Sequence, residues 1–100
     1  DNIEALLREK LPSLASLMPC DGVGLWLNGV WGGHGVTPPQ SAIPQLARFV
    51  GSASDGRVWA THELSAAAPE AASYRADVSG LLAVPLSQLP RDFLFFFRKE

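Results

Sequence analysis

Two apolar runs dominate the pattern of the chain. Leu81-Leu82-Ala83-Val84-Pro85-Leu86 and Phe93-Leu94-Phe95-Phe96-Phe97 flank a polar connector, Ser87-Gln88-Leu89-Pro90-Arg91-Asp92. Each run is too short for an ordinary helix, is bounded by Gly, Pro or Asp, and is rich in aliphatic or aromatic residues that suit a pleated surface. The pair predicts a β-hairpin over residues 80–97. Because consecutive positions are apolar, both faces need cover, which places these strands inside a sheet rather than at its edge.

The preceding residues must supply that cover. Ile3, Leu6, Leu7, Leu11, Leu14, Leu17 and Met18 follow a helical period, with Asp1 or Asn2 as cap. Pro12 removes a backbone donor, so the pattern is either one kinked helix or two pieces with Pro12 in the first turn of the second. Pro19 closes it. Cys20-Asp21-Gly22 reads as a turn and Val23-Gly24-Leu25-Trp26-Leu27 as a half-buried strand. Asn28-Gly29 follows directly. A type I′ turn needs two positive φ values that these residues tolerate, so Val30-Trp31 is predicted to return as the second strand.

Gly32-Gly33-His34-Gly35 invites comparison with a phosphate loop, but the helix start, glycine spacing and Gly-Lys-Ser/Thr ending of such loops are missing. The glycines are read as a bulge or twist at the strand's exit. Thr37-Pro38-Pro39-Gln40 has the form of a capping box, and Ile43, Leu46, Ala47 and Val50 make the buried face of a helix. With a Thr37 cap Pro44 lies a full turn inside; a start at Ser41 puts it in the first turn, and the sequence leaves both open. Gly51-Ser52-Ala53-Ser54-Asp55-Gly56 reads as a loop and Arg57-Val58-Trp59-Ala60-Thr61 as a short strand. The Ala-rich stretch 62–77 reads as a crossover outside the core, with Pro69 starting a short helix through Tyr74. This order predicts an α+β fold with one mixed or antiparallel sheet.

Length and composition narrow the picture. One hundred residues form one domain, able to bury about two-thirds of its unfolded surface. A hydrophobic share of 47% against 18% charged fits a globular chain. The net charge of −2 and the absence of a Lys/Arg run argue against nucleic-acid or anionic-membrane partners. The single cysteine, Cys20, excludes an internal disulfide and fits a reducing, cytoplasmic setting. No signal-peptide pattern and no run of about eighteen apolar residues is present. Arg98-Lys99-Glu100 ends the sequence directly after a buried strand that still needs a neighbour. An excerpt of a longer protein is therefore expected.

Candidate chemistry is thin. Cys20, His34 and His62, with Asp21 or Glu63, lack the close spacing of a zinc set. Cys20 after a proline at a helix exit reads as a packing residue rather than a nucleophile or attachment thiol. Trp26, Trp31 and Trp59 read as core or sheet cover before ligand pocket. Arg75, Asp77, Arg91 and Asp92 read as solvated charges, whose ion pairs contribute ~0–1 kcal/mol. No catalytic, cofactor-binding or metal-binding residue is assigned, and no enzymatic activity is expected.

Asp21-Gly22-Val23-Gly24-Leu25-Trp26-Leu27, Gly35-Val36-Thr37-Pro38-Pro39, Ser79-Gly80-Leu81-Leu82-Ala83-Val84-Pro85-Leu86-Ser87 and Phe97-Arg98-Lys99-Glu100 occur in an order and spacing that resemble the PHY domain of phytochromes, especially bacterial ones. The resemblance covers nearly the whole chain. It implies a GAF-like antiparallel sheet flanked by helices, placed after the chromophore-binding GAF domain of a red/far-red photoreceptor. Such a domain is non-catalytic. It shields a bilin such as biliverdin and relays the signal to an output module, often a histidine kinase of two-component signalling, in a homodimeric protein. The family's chromophore contact is a long tongue that follows a Phe-Arg-x-Glu motif, here Phe97-Arg98-Lys99-Glu100, so the tongue's own motifs lie beyond Glu100. Trp31-Gly32-Gly33 is too early to be the tongue's Trp-Gly-Gly, and Cys20 does not match a bilin-attachment cysteine. Residues 1–100 are thus expected to be a PHY domain incomplete at its C-terminus, self-associating through an open edge at Phe93 to Phe97. The competing reading is a GAF-type domain binding its own small ligand, such as a cyclic nucleotide. The apolar strands speak against that, because a polar ligand needs convergent polar groups.

Overall fold

The computed structural model describes residues 2–87 and 91–99. Asp1, the side chain of Asn2, the Gln88-Leu89-Pro90 part of the connector, and Glu100 lie outside the described residues. Helices α1 (Asn2–Glu9) and α2 (Leu11–Ala15) precede strands β1 (Gly22–Leu27) and β2 (Val30–Gly35). A 3-10 turn at Gln40–Ala42 leads into α3 (Ile43–Ser54), then β3 (Trp59–Thr61), α4 (Leu64–Ala67) and a second 3-10 segment at Pro69–Tyr74. Strands β4 (Gly80–Pro85) and β5 (Phe93–Arg98) follow.

All pairings are antiparallel, in the order β2-β1-β5-β4-β3. The predicted hairpin is β4–β5, and it lies inside the sheet. The expected open edge is corrected: β5 pairs with β4 on one side and with β1 on the other, from Gly22 opposite Phe97 to Trp26 opposite Phe93. Self-association through residues 93–97 therefore loses its basis. Among the described residues the edges are β2 and the short β3.

Alternation along β5 separates two cores. Phe93, Phe95 and Phe97 point to one side, where they pack with Ile43, Leu46, Ala47 and Val50 of α3 and with Leu64, Ala68, Ala71, Tyr74 and Val78. Phe96 points to the other side, joining Val23 and Leu25 of β1 and Leu11 of α2. The stretch read as a crossover outside the core thus contributes to its centre. Its small alanines conceal this, because burial of an Ala-rich segment leaves little hydrophobic pattern in the sequence.

Several local readings resolve. Pro12 stands in the first turn of α2, after a break at Lys10. The expected apolar face is only half used: Leu11 is buried, whereas Ile3 and Leu17 are 67% and 72% exposed. Pro44 lies in the first turn of α3, as a start near Ser41 requires, and Thr37 is not the cap. Residues 51–54 are helical, not loop, because α3 continues to a left-handed stop at Asp55 (φ 51°) and Gly56 (φ 78°). The Asn28-Gly29 turn has φ values of 55° and 76°, as a type I′ turn demands. Strand β2 runs on through Gly35 in unbroken register with β1, so of the expected bulge or twist the bulge is absent. Its glycines serve a neighbour instead: a Cβ on Gly33 would lie 3.1 Å from the Trp31 ring.

Candidate functional site

At one end of the sheet β1 and β4 begin while β2 and β5 end, and polar groups there hold the exit of the central strand. Asp21 sits just before β1. Its N–H donates to the Phe97 carbonyl at 2.8 Å, and its own carbonyl accepts from the Val36 N–H at 2.9 Å. Its carboxylate accepts the backbone N–H of Lys99 at 2.7 Å. On the other flank Ser79 donates its N–H to the Arg98 carbonyl at 2.8 Å, accepts from the Leu64 N–H at 2.8 Å, and donates its hydroxyl to the His62 carbonyl at 3.2 Å. The chain leaving β5 is clasped from both sides.

The local sequence explains the clasp. A Cβ on Gly22 would stand 1.8 Å from the Val36 carbonyl oxygen, and Gly35 has φ 80° with its Cβ position 2.5 Å from the Asp21 carbonyl oxygen. Glycine at both positions lets the strand ends approach, and aspartate supplies the acceptor. A groove of about 830 Å³ opens beside the clasp, with Met18, Cys20, Leu82 and Phe96 among its apolar walls and His62, Glu63, Arg98 and Lys99 among its polar ones. It exists because α1 and α2 pack on the β1–β2 half of the sheet, leaving Leu82, Val84 and Leu94 only partly covered.

The residues singled out by sequence scatter. Cys20 is half-buried and its thiol donates to the Ala15 carbonyl at 3.3 Å, a packing role between α2 and β1. His34 is exposed on β2 and His62 is exposed in the bend after β3, and among the described residues no three His, Cys, Asp or Glu gather as metal ligands. Trp31 lies against Phe95 and Phe97 at ring distances of 6.4 and 6.3 Å, Trp59 against Phe49 at 5.6 Å, and Trp26 packs on the same core. All three are sheet cover. Arg75, Asp77 and Arg91 are exposed. Asp92 is corrected: it is 6% exposed, its carboxylate accepts the Asn28 N–H at 3.2 Å and its carbonyl accepts the Leu86 N–H at 2.9 Å. Two hairpins meet at this residue, which its neighbours in sequence do not reveal. The Tyr74 phenol, at the floor of the α3 core, is pushed above its ordinary pKa by burial and, secondarily, by Glu70.

Sequence reasoning missed the roles of Asp21 and Ser79 as a clasp. The available signal was the Asp-Gly pair at a strand entry and the Ser-Gly pair at another.

The comparisons with known proteins agree with this architecture. The family model of the phytochrome region, PHY, matches residues 1–100. The chain is 28% identical over 100 residues to cyanobacterial phytochrome B of Nostoc sp., covering 100% of this chain and 13% of that protein. It is 33% identical over 91 residues to phytochrome C of Sorghum bicolor, covering 89% of this chain and 8% of that protein. The crystal structure of bacteriophytochrome RpBphP3 from the photosynthetic bacterium R. palustris superposes with a TM-score of 0.82 at 32% identity, over 95% of this chain and 20% of that one. The chain therefore spans a small part of the relatives it matches. With a helix-flanked antiparallel sheet and a family match along its whole length, this chain belongs to the phytochrome-region (PHY) family.

Proposed function

We propose that this domain is the non-catalytic signal-relay and chromophore-shielding part of a red/far-red bilin photoreceptor. It receives the signal from an upstream GAF domain of the same polypeptide and passes it to a downstream output module, a histidine kinase, in a cytoplasmic homodimer. The observation that carries this reading is the double clasp on the exit of β5, formed by Asp21 and Ser79. In the family the chromophore-contacting tongue leaves the sheet after this strand. A root held on both flanks gives that tongue a fixed origin, so that a change at its tip is referred to the sheet and not lost in a loose joint. On this reading residues 1–100 are incomplete at the C-terminus, and the bilin, biliverdin or a relative, is held by other domains. The absence of a helix long and apolar enough to cross a membrane, among the described residues, is compatible with the cytoplasmic setting.

The test is a light-induced difference spectrum of the longer protein, extended upstream and beyond Glu100 and co-produced with biliverdin, beside a version ending at Glu100. Photoconversion in the long form, with bleaching or fast reversion in the short form, supports the relay. Failure of both forms to bind bilin or respond to light refutes it.

The groove of about 830 Å³ favours one second reading, a GAF-type domain that binds its own small ligand such as a cyclic nucleotide. Saturable micromolar heats in a calorimetric titration would support that reading in place of the relay.

A further inference from the structure

At the end of the sheet opposite the clasp, a second polar network joins α1 to the central strand. Helix α1 has only 8 residues, too few to be stable alone, and it leaves Ile3 and Leu6 exposed. Apolar burial fixes its orientation poorly. Arg8 does so instead. Its Nε and Nη2 donate to the Glu4 carboxylate at 3.0 and 2.8 Å, and Nη2 also donates to the carbonyls of Leu27 and Val30, both at 3.1 Å. Those carbonyls flank the Asn28-Gly29 turn. The other Glu4 oxygen accepts the Asn28 side-chain amide at 3.1 Å, and the Asn28 backbone N–H donates to buried Asp92, the residue before β5, at 3.2 Å.

We infer that Arg8 is a positioning residue whose network with Glu4, Asn28 and Asp92 makes α1 and the central strand move as one body. Every link is 3.2 Å or shorter. The chemistry suits arginine in particular, because its planar fork serves a carboxylate and two carbonyls together, which the compact ammonium of lysine cannot. Gly32 completes the seat: a Cβ there would lie 3.2 Å from Arg8 Nη1. The hydrogen bond from Arg8, followed by that from Asn28, holds the Glu4 carboxyl below its ordinary range, so the network is charged at neutral pH. Partly exposed pairs of this kind add little stability, which leaves geometry as their effect. Resting on the relay reading, the network is the input coupling: displacement of α1 by the upstream chain is delivered to the start of the strand whose far end carries the clasp.

The experiment compares Arg8→Ala and Arg8→Lys with wild type in the full-length polypeptide that carries this domain. Amide exchange is followed by mass spectrometry in peptides covering residues 27–30 and 91–94. The expected result is several-fold faster exchange in both peptides for Arg8→Ala, with Arg8→Lys intermediate. Faster exchange at 27–30 with 91–94 unchanged would reduce Arg8 to a local tie and overturn the inference. Should Arg8→Ala fail to fold, Glu4→Gln and Arg8→Lys break the same fork more gently and are read in the same peptides. In the bilin-loaded protein, Arg8→Ala is expected to photoconvert normally while the light-to-dark ratio of output activity falls; an unchanged ratio would overturn the input role. A wild-type protein that does not photoconvert refutes the relay reading, while the exchange result still decides the coupling.

Discussion

Gly24 and Trp31 offer a sharp test of how this sheet is packed. They sit on adjacent strands, and a Cβ built on Gly24 would lie 1.9 Å from the tip of the Trp31 ring. That ring cannot simply swing aside, because it leans on Phe95 and Phe97. Gly24→Ala must therefore overpack the site, at about 1–3 kcal/mol, or forfeit the two ring contacts, at about 0.5–1.5 kcal/mol each. A loss of about 2–3 kcal/mol is expected. Trp31→Ala alone removes a half-buried ring and should cost less than the ~3–5 kcal/mol of a fully buried one. In that background the three atoms nearest the Gly24 methyl, all of the Trp31 ring, are gone, and alanine in a strand is better than glycine by about 0.5–1 kcal/mol. The sign of the Gly24→Ala effect thus reverses between backgrounds, giving a coupling of about 3 kcal/mol against the ~0.5 kcal/mol scatter of independent sites. Urea unfolding of the four proteins followed by far-UV circular dichroism measures it. Additive losses, or a Gly24→Ala protein as stable as wild type, would refute the packing argument.

Three further outcomes are expected. Asp92→Ala strands the Asn28 N–H and should lower stability by about 1.5–3 kcal/mol, read as a shift in urea midpoint with the slope unchanged. Asp21→Ala should release the Lys99 amide, which it accepts at 2.7 Å, so amide exchange at Lys99 accelerates while α3 stays protected; slow exchange at Lys99 would count against the clasp. Tyr74 titrates above its ordinary 10.0 in the folded chain. Its raised pKa gives a stabilisation that is full below pH 10.0 and lost as pH rises through the folded value, so unfolding midpoints should fall in alkaline buffer for wild type and less for Tyr74→Phe.

What could be read from the sequence was local. The buried face of α3 follows from a period of apolar positions, the β1–β2 turn from the φ demands of Asn28 and Gly29, and an interruption at Pro12, kink or break, from the missing donor of proline. What could not be read involved partners distant in the chain. The pairing of β1 with β5 depends on which strand wins the free side of a hairpin, and no short-range signal records that. Gly33 looked like punctuation because the ring it accommodates, Trp31, folds over it only once β2 lies flat on β1. Asp92 looked solvated because the Asn28 amide that meets it is 64 positions away. At the candidate site, Asp21 and Ser79 were visible as parts of family-like motifs, but their hydrogen bonds to the chain after Phe97 needed the closed sheet.

The position of β5 also bears on how the protein is made. The strand that joins the two halves of the sheet is the last of the described strands to leave the ribosome. Until it arrives, β1–β2 and β3–β4 are separate pairs with nothing between them, and two-stranded ribbons are at best marginal in water. Val23 and Leu25, fully buried in the finished fold, wait in the open meanwhile. Closure of the sheet is thus gated by the emergence of β5, and nascent chains stalled before Phe93 should be captured by chaperones or lost to aggregation.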